Sequence, residues 1–173
     1  MLINKNLQKR TTKNFSMKIK LITVGKTINS HLIQLQEEYQ NRLKFYIPFE
    51  YVVIPELKNT KSLSVAEQQE REGDLILKQL ENSDDVLLLD DKGKQFSSMG
   101  FSEFISKKML ASHKCVVFIV GGPYGFSEKV YQRANGKISL SAMTFSHQMI
   151  RLIFAEQLYR AMTILKGEPY HHE

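Results

Sequence analysis

The chain is short of the residues that build staples, membrane spans and phosphate grips. It has a single cysteine, Cys115, among 173 residues. One thiol makes no internal bridge, and the paired CxxC spacing of a zinc site is missing. Cys115 sits in the apolar run 115–120, which marks it as a small core residue rather than a nucleophile. Such cysteine usage fits a reducing, cytoplasmic setting. No stretch approaches the ~20 apolar residues of a membrane span. The opening MLINKNLQKRTTKNFS carries charges but no apolar centre, which argues against a secretory signal. The pattern GxxxxGK[ST] is absent, and no GxGxxG follows the first strand-like run, so a P-loop, nicotinamide or flavin reading lacks its phosphate grip.

At 173 residues one domain is expected, burying roughly 70% of the surface of its unfolded chain. It needs no disulfide or metal staple. The formal net charge is +6. Four of those positives, Lys5, Lys9, Arg10 and Lys13, lie in residues 1–16, which hold no acid, so residues 17–173 carry +2. That balance is compatible with RNA but does not demand it. Residues 1–16 have no helical or strand period. They read either as a disordered basic arm or as an extension ahead of a start at Met17, and the second is preferred.

From Met17 onward, strand and helix patterns alternate. Residues 17–24 read as a strand. A helix capped by Ser30 follows and stops at Pro48. Residues 49–54 read as a second strand. Ser64 and Glu67 form a capping box for a helix running to about Glu81. Residues 85–89 (DVLLL, apolar after Asp85) and 115–120 (apolar throughout) read as strands of a parallel sheet buried on both faces. Between them lie a turn at 90–95 and a helix over about 99–111. Residues 127–134 predict a short helix and 137–140 a short strand. Ser146 caps a long last helix to about Lys166, with Gly167 and Pro169 as stop signals. Five strands alternating with five helices predict an α/β three-layer domain with a mostly parallel sheet.

Ligands in such sheets sit at the carboxyl ends of the strands. Three loops there stand out: the one after Leu89, GGPYG at 121–125, and SAMTFS at 141–146. Gly121, Gly122 and Gly125 let backbone approach a ligand closely, although a tight turn with no ligand is an equal reading of GGPYG alone. Loops of this kind suit a ligand with a purine but no phosphate. The last helix, SHQMIRLIFAEQLYRAMTILKG, places His147, Arg151, Glu156 and Arg160 on an otherwise apolar element. Salt bridges or a solvated face are the ordinary account of such residues.

Taken together, GGPYG, SHQMIRLIFAEQLYRA and the terminal PYHHE resemble the ribosomal large-subunit pseudouridine methyltransferase H family of the SPOUT superfamily. The resemblance runs from Met17 to Glu173. It implies a sheet whose C-terminal segment is threaded as a trefoil knot, a topology that general fold rules would not propose. It implies S-adenosylmethionine as cofactor, held by Leu89, Gly122 and the loop Ser141, Ala142, Met143, Thr144, Phe145 and Ser146, with no metal. It implies a homodimer with the last helices packed together and each site completed by the partner. The activity implied is methylation of N-3 of a pseudouridine in large-subunit ribosomal RNA, on assembled ribosomes, with His147, Arg160 and Tyr170 as functional polar residues. One departure stands out: His172 occupies the place where the family carries Arg or Lys. Two other classes compete, a non-catalytic ribosome-binding protein, which predicts degraded ligand loops, and a flavodoxin-like carrier, which lacks its phosphate grip.

Overall fold

Side chains alternate across a strand, so a wholly apolar strand needs cover on both faces. Strand β4 (Cys115–Val120) shows the consequence: all six residues are buried. Val116, Phe118 and Val120 enter one core, while Cys115, Val117 and Ile119 enter the other. The computed structural model describes residues 17–111 and 113–171. The readings made above for residues 1–16 and for His172 lie outside the described residues.

Beside β4 stand β1 (Lys18–Val24) and β3 (Asp85–Gln95), with β2 (Phe49–Ile54) and β5 (Gly136–Ser139) outermost, in the order β2-β1-β4-β3-β5. Every described pairing is parallel. The helices α1 (Ser30–Leu43), α3 (Ser98–Leu110) and α5 (Met149–Lys166) supply Leu43, Phe101, Ile105, Phe154 and Leu158 to one core. The helices α2 (Val65–Leu77) and α4 (Glu128–Arg133) supply Ile76 and Val130 to the other. This is the three-layer α/β architecture expected from the alternating pattern.

The capping box forms as read. Ser64 Oγ accepts from Glu67 N at 3.2 Å, and Glu67 Oε2 accepts from Ser64 N at 2.8 Å. The Ser64 amide, and the Ser64 hydroxyl that also donates to Oε2 at 2.8 Å, hold the Glu67 carboxyl below its ordinary range. Other boundaries shift. Asn29, not Ser30, caps α1, its side chain accepting from the amides of His31 and Leu32. Helix α2 ends at Leu77, short of Glu81. Residues 90–95 are not a simple turn, because β3 runs on to Gln95. Leu89 and Lys94 both register opposite Ile138, so residues 90–93 bulge out of the ladder. Gly93 permits this: a Cβ there would lie 2.5 Å from the Ile138 backbone. Bulges of this kind re-aim side chains at sheet rims.

Candidate active site

The bulge of β3 and the carboxyl ends of β4 and β5 open into one cavity of about 570 Å³, inside the ~300–1,000 Å³ range of small-molecule sites. Its walls are residues 89–92, residues 120–126, residues 138–141 and 143–147, with Tyr131 and Ile150. The three loops singled out from sequence therefore meet around one space. Leu89, Gly122, Ser141, Met143, Thr144, Phe145, Ser146 and His147 all line it, and Ala142 does not.

Local bonds explain the shape of the 141–147 loop. Ser139 Oγ donates to the Ser141 carbonyl at 2.8 Å, and Ser141 Oγ accepts from Met143 N at 2.9 Å. Ser146 Oγ accepts from Met149 N at 3.2 Å, capping the turn that leads into α5. Three serine hydroxyls thus hold the loop in shape, taking up the Ser141 carbonyl and the Met143 and Met149 amides.

Gly122 lines the cavity with its backbone, while its missing side chain would point toward α2. A Cβ there would lie 2.5 Å from Glu72 Oε2. Glu72 is only 4% exposed; its Oε1 accepts from Gln68 Nε2 at 2.9 Å, while Oε2 has no hydrogen-bond partner. The glycine is required by a carboxylate behind the loop as well as by any ligand in front of it. Gln69 of the same helix donates from Nε2 to the Tyr124 carbonyl at 2.6 Å, tying the loop to α2.

Sequence reasoning missed the 90–93 bulge and its anchor. Tyr131 donates from its hydroxyl to Asp90 Oδ2 at 2.6 Å, and Asp90 Oδ1 accepts from Lys92 N at 2.8 Å. Burial, then the neighbouring Asp90, pushes the Tyr131 phenol well above its ordinary range. An aromatic in α4 two turns beyond a glycine loop was the available signal.

Arg160 and Tyr170 stand elsewhere. Ile150 borders the cavity, and Arg160 follows it by ten residues, ~15 Å along the helix axis. There Arg160 contacts Glu156 Oε1 at 2.6 Å through Nη2 and at 3.1 Å through Nε. Its guanidinium lies 4.8 Å from the Tyr170 ring centroid. The Tyr170 hydroxyl meets Tyr39 Oη and Glu156 Oε1, each at 3.2 Å. Burial first, then Tyr39, raises the Tyr170 phenol well above its ordinary range. His171 Nδ1 is 3.4 Å from Arg160 Nη1. Arg151 meets neither half of the ordinary account given above: it is fully buried and pairs with no carboxylate among the described residues. Its guanidinium donates to the Val24 carbonyl at 2.7 Å and to Thr27 Oγ1 at 3.0 Å, locking the start of α5 to the end of β1.

A parallel α/β sheet with a cavity built from the last three strand-end loops defines a class, and the comparisons agree on it. The sequence profile of the family described as "Predicted SPOUT methyltransferase" matches residues 17–171. The chain belongs to the SPOUT methyltransferase family. A Parabacteroides distasonis protein named ribosomal RNA large subunit methyltransferase H is 62% identical over 157 residues, which span 91% of this chain and 100% of that protein. A Flavobacterium johnsoniae protein of the same name is 57% identical over 157 residues, again 91% of this chain and 100% of that protein. Among solved structures, a probable methyltransferase from Bordetella pertussis Tohama I aligns with a TM-score of 0.54 at 11% identity, covering 86% of this chain and 96% of that one. That likeness concerns the fold alone.

Proposed function

We propose that this chain transfers a methyl group from S-adenosylmethionine to N-3 of a pseudouridine in large-subunit ribosomal RNA, on assembled ribosomes in the cytoplasm. The observation that carries the reading is the convergence of the 89–92, 120–126 and 138–147 segments on one cavity, in a SPOUT methyltransferase whose relatives at 57–62% identity bear the ribosomal RNA name. Among the described residues no helix is long and apolar enough to cross a membrane.

The cavity fits the cofactor. Leu89, Val120, Ile138 and Ile150 give it apolar walls for a purine, and the 121–125 and 141–146 backbones offer amides and carbonyls in place of a phosphate grip. Bound there, S-adenosylmethionine supplies a methyl group already activated on sulfonium, so the reaction calls for no metal. The protein's work is positioning, which can be worth several kcal/mol. The target base must be held out of its stack with its imide nitrogen at the cavity mouth, where His147 presents a polar rim. The methyl would pass from the sulfonium, which leaves as a neutral thioether, to that nitrogen, whose proton passes to solvent. A guanidinium nearby steadies the negative charge that develops.

Arg160 is the guanidinium proposed for that role, and its ~15 Å offset along α5 sets a condition. The site is completed across a homodimer, the partner subunit's Arg160 and Tyr170 reaching this chain's cavity. The Tyr39–Glu156–Tyr170–Arg160 cluster supports this, since it preorganises the cation away from its own cavity. Family membership further supports threading of the segment after β5 as a trefoil knot. The test is direct: ribosomes lacking the modification are incubated with the chain and methyl-labelled cofactor, and the ribosomal RNA nucleosides are resolved by mass. The expected product is N-3-methylpseudouridine. Label on another base, or none, overturns the reading.

A further inference from the structure

We propose that a second groove, beside the cavity, seats backbone phosphate of the RNA flanking the target base, with Lys92 and Lys137 as its cations. The proposal rests on the reading of the cavity as a site that acts on ribosomal RNA. The groove measures about 510 Å³ and lies between the 90–93 bulge, α4 and β5. Lys92 and Tyr131 line both spaces, so the groove runs directly into the cavity rim. A target base held at the cavity mouth brings its flanking phosphodiesters over that rim.

Charge and rigidity favour the same occupant. Two lysines face one glutamate, Glu128, across the groove. Among the described residues neither Lys92 nor Lys137 forms an ion pair. The acids lining the adjoining cavity wall are Asp90, engaged by Tyr131 and by the Lys92 amide, and exposed Asp91. Lys137 Nζ stands 5.5 Å from the Tyr131 ring centroid, and that ring is fixed in turn by its bond to Asp90. Strand β5 is an edge of the sheet, so the groove faces outward, where a large RNA can reach it. Continuity with the cavity mouth, where the target base is held, selects a nucleic acid over an acidic protein surface.

The experiment measures binding of the full chain to large ribosomal subunits across a salt series. Lys137→Ala, the Lys92→Ala/Lys137→Ala pair and Lys137→Arg are compared with the unaltered chain, and methyl transfer by the unaltered chain is followed in parallel. Removing one lysine–phosphate pairing should flatten the slope of log affinity against log salt by ~0.7–0.9 and weaken binding roughly fivefold at ~0.15 M salt. Lys137→Arg should bind as the unaltered chain does. Lys137→Ala should keep its S-adenosylmethionine affinity in calorimetry, because Lys137 does not line the cavity. An unchanged slope and affinity in the double variant, with methyl transfer intact in the unaltered chain, overturns the groove alone; the lysines then only guard an edge strand. Failure of the unaltered chain to bind or methylate ribosomal RNA overturns the function proposed for the cavity, and the groove with it.

Discussion

Adding one methyl group at Gly122 should set the glycine loop against the carboxylate behind it. The Cβ of Gly122→Ala would lie 2.5 Å from Glu72 Oε2 and 3.2 Å from its Cδ, whereas comfortable contacts lie near 3.5 Å. One group must move by close to an ångström. Glu72 has little room to do so, being 4% exposed and held by Gln68. Overpacking of this kind costs ~1–3 kcal/mol. At about 2–4 °C per kcal/mol for a chain this size, melting should fall by several degrees. The loop backbone lines the cavity, so cofactor affinity should fall too. Glu72→Ala removes the obstacle, and in that background Gly122→Ala should cost less than ~0.5 kcal/mol. Urea midpoints for the four chains close a double-mutant cycle, with titration calorimetry reading the cofactor. An equal cost in both backgrounds would refute the reasoning, because the added methyl would then be meeting something other than Glu72.

Three further outcomes are expected. Arg160→Ala should lower the single-turnover rate on saturating ribosomes by ~10²–10³-fold with cofactor affinity unchanged; an unchanged rate would leave Arg160 as the structural partner of Glu156. Mixing Arg160→Ala chains with Gly122→Val chains, each inactive alone, should restore about a quarter of full activity through mixed dimers of a two-fold assembly, and no recovery would show that the site is built within one chain. Cys115, 8% exposed and with its thiol pushed by burial up to about 11, should react with a disulfide reagent at pH 8 no faster than the protein unfolds, whereas fast labelling would place the thiol at the surface.

The elements that could be read from the sequence are those whose local pattern admits one answer. CVVFIV at 115–120 is apolar at every position, and only a strand covered on both faces satisfies it. Ser64 and Glu67 satisfy each other's amides whatever surrounds them. The bulge at 90–93 had no such signature. DDKGKQ has the composition of a turn, and it continues a strand only because β5 supplies backbone partners from more than forty residues downstream. Arg151 misled for the same reason: its partners, Val24 and Thr27, lie over 120 residues away on the chain. Glu72 carried no sign of burial on a helix otherwise rich in Gln, Glu and Arg. The three ligand loops were legible as segments, since glycine and small polar residues after apolar strands mark strand ends. Which atoms of those loops face the cavity was not, because Gly122 turns its Cβ direction toward α2.

The last helix shows that residues close in sequence need not stand at one place in the fold. His147, Arg160 and Tyr170 fall within 24 consecutive residues and read as one constellation. A helix separates residues at 1.5 Å per position, so His147, in the turn before α5, lines the cavity while α5 carries Arg160 away from it, among Glu156, Tyr170 and Tyr39. Helices pack in register over their length and do not fold back on themselves, so no rotamer of Arg160 spans that distance; an arginine side chain reaches only about half of it. The cation cluster is also fixed by a carboxylate, an aromatic face and a tyrosine pair, contacts that hold the guanidinium in place rather than leave it free to travel. If these three residues serve one reaction, the second end must come from a second chain, and the mixed-dimer experiment decides it.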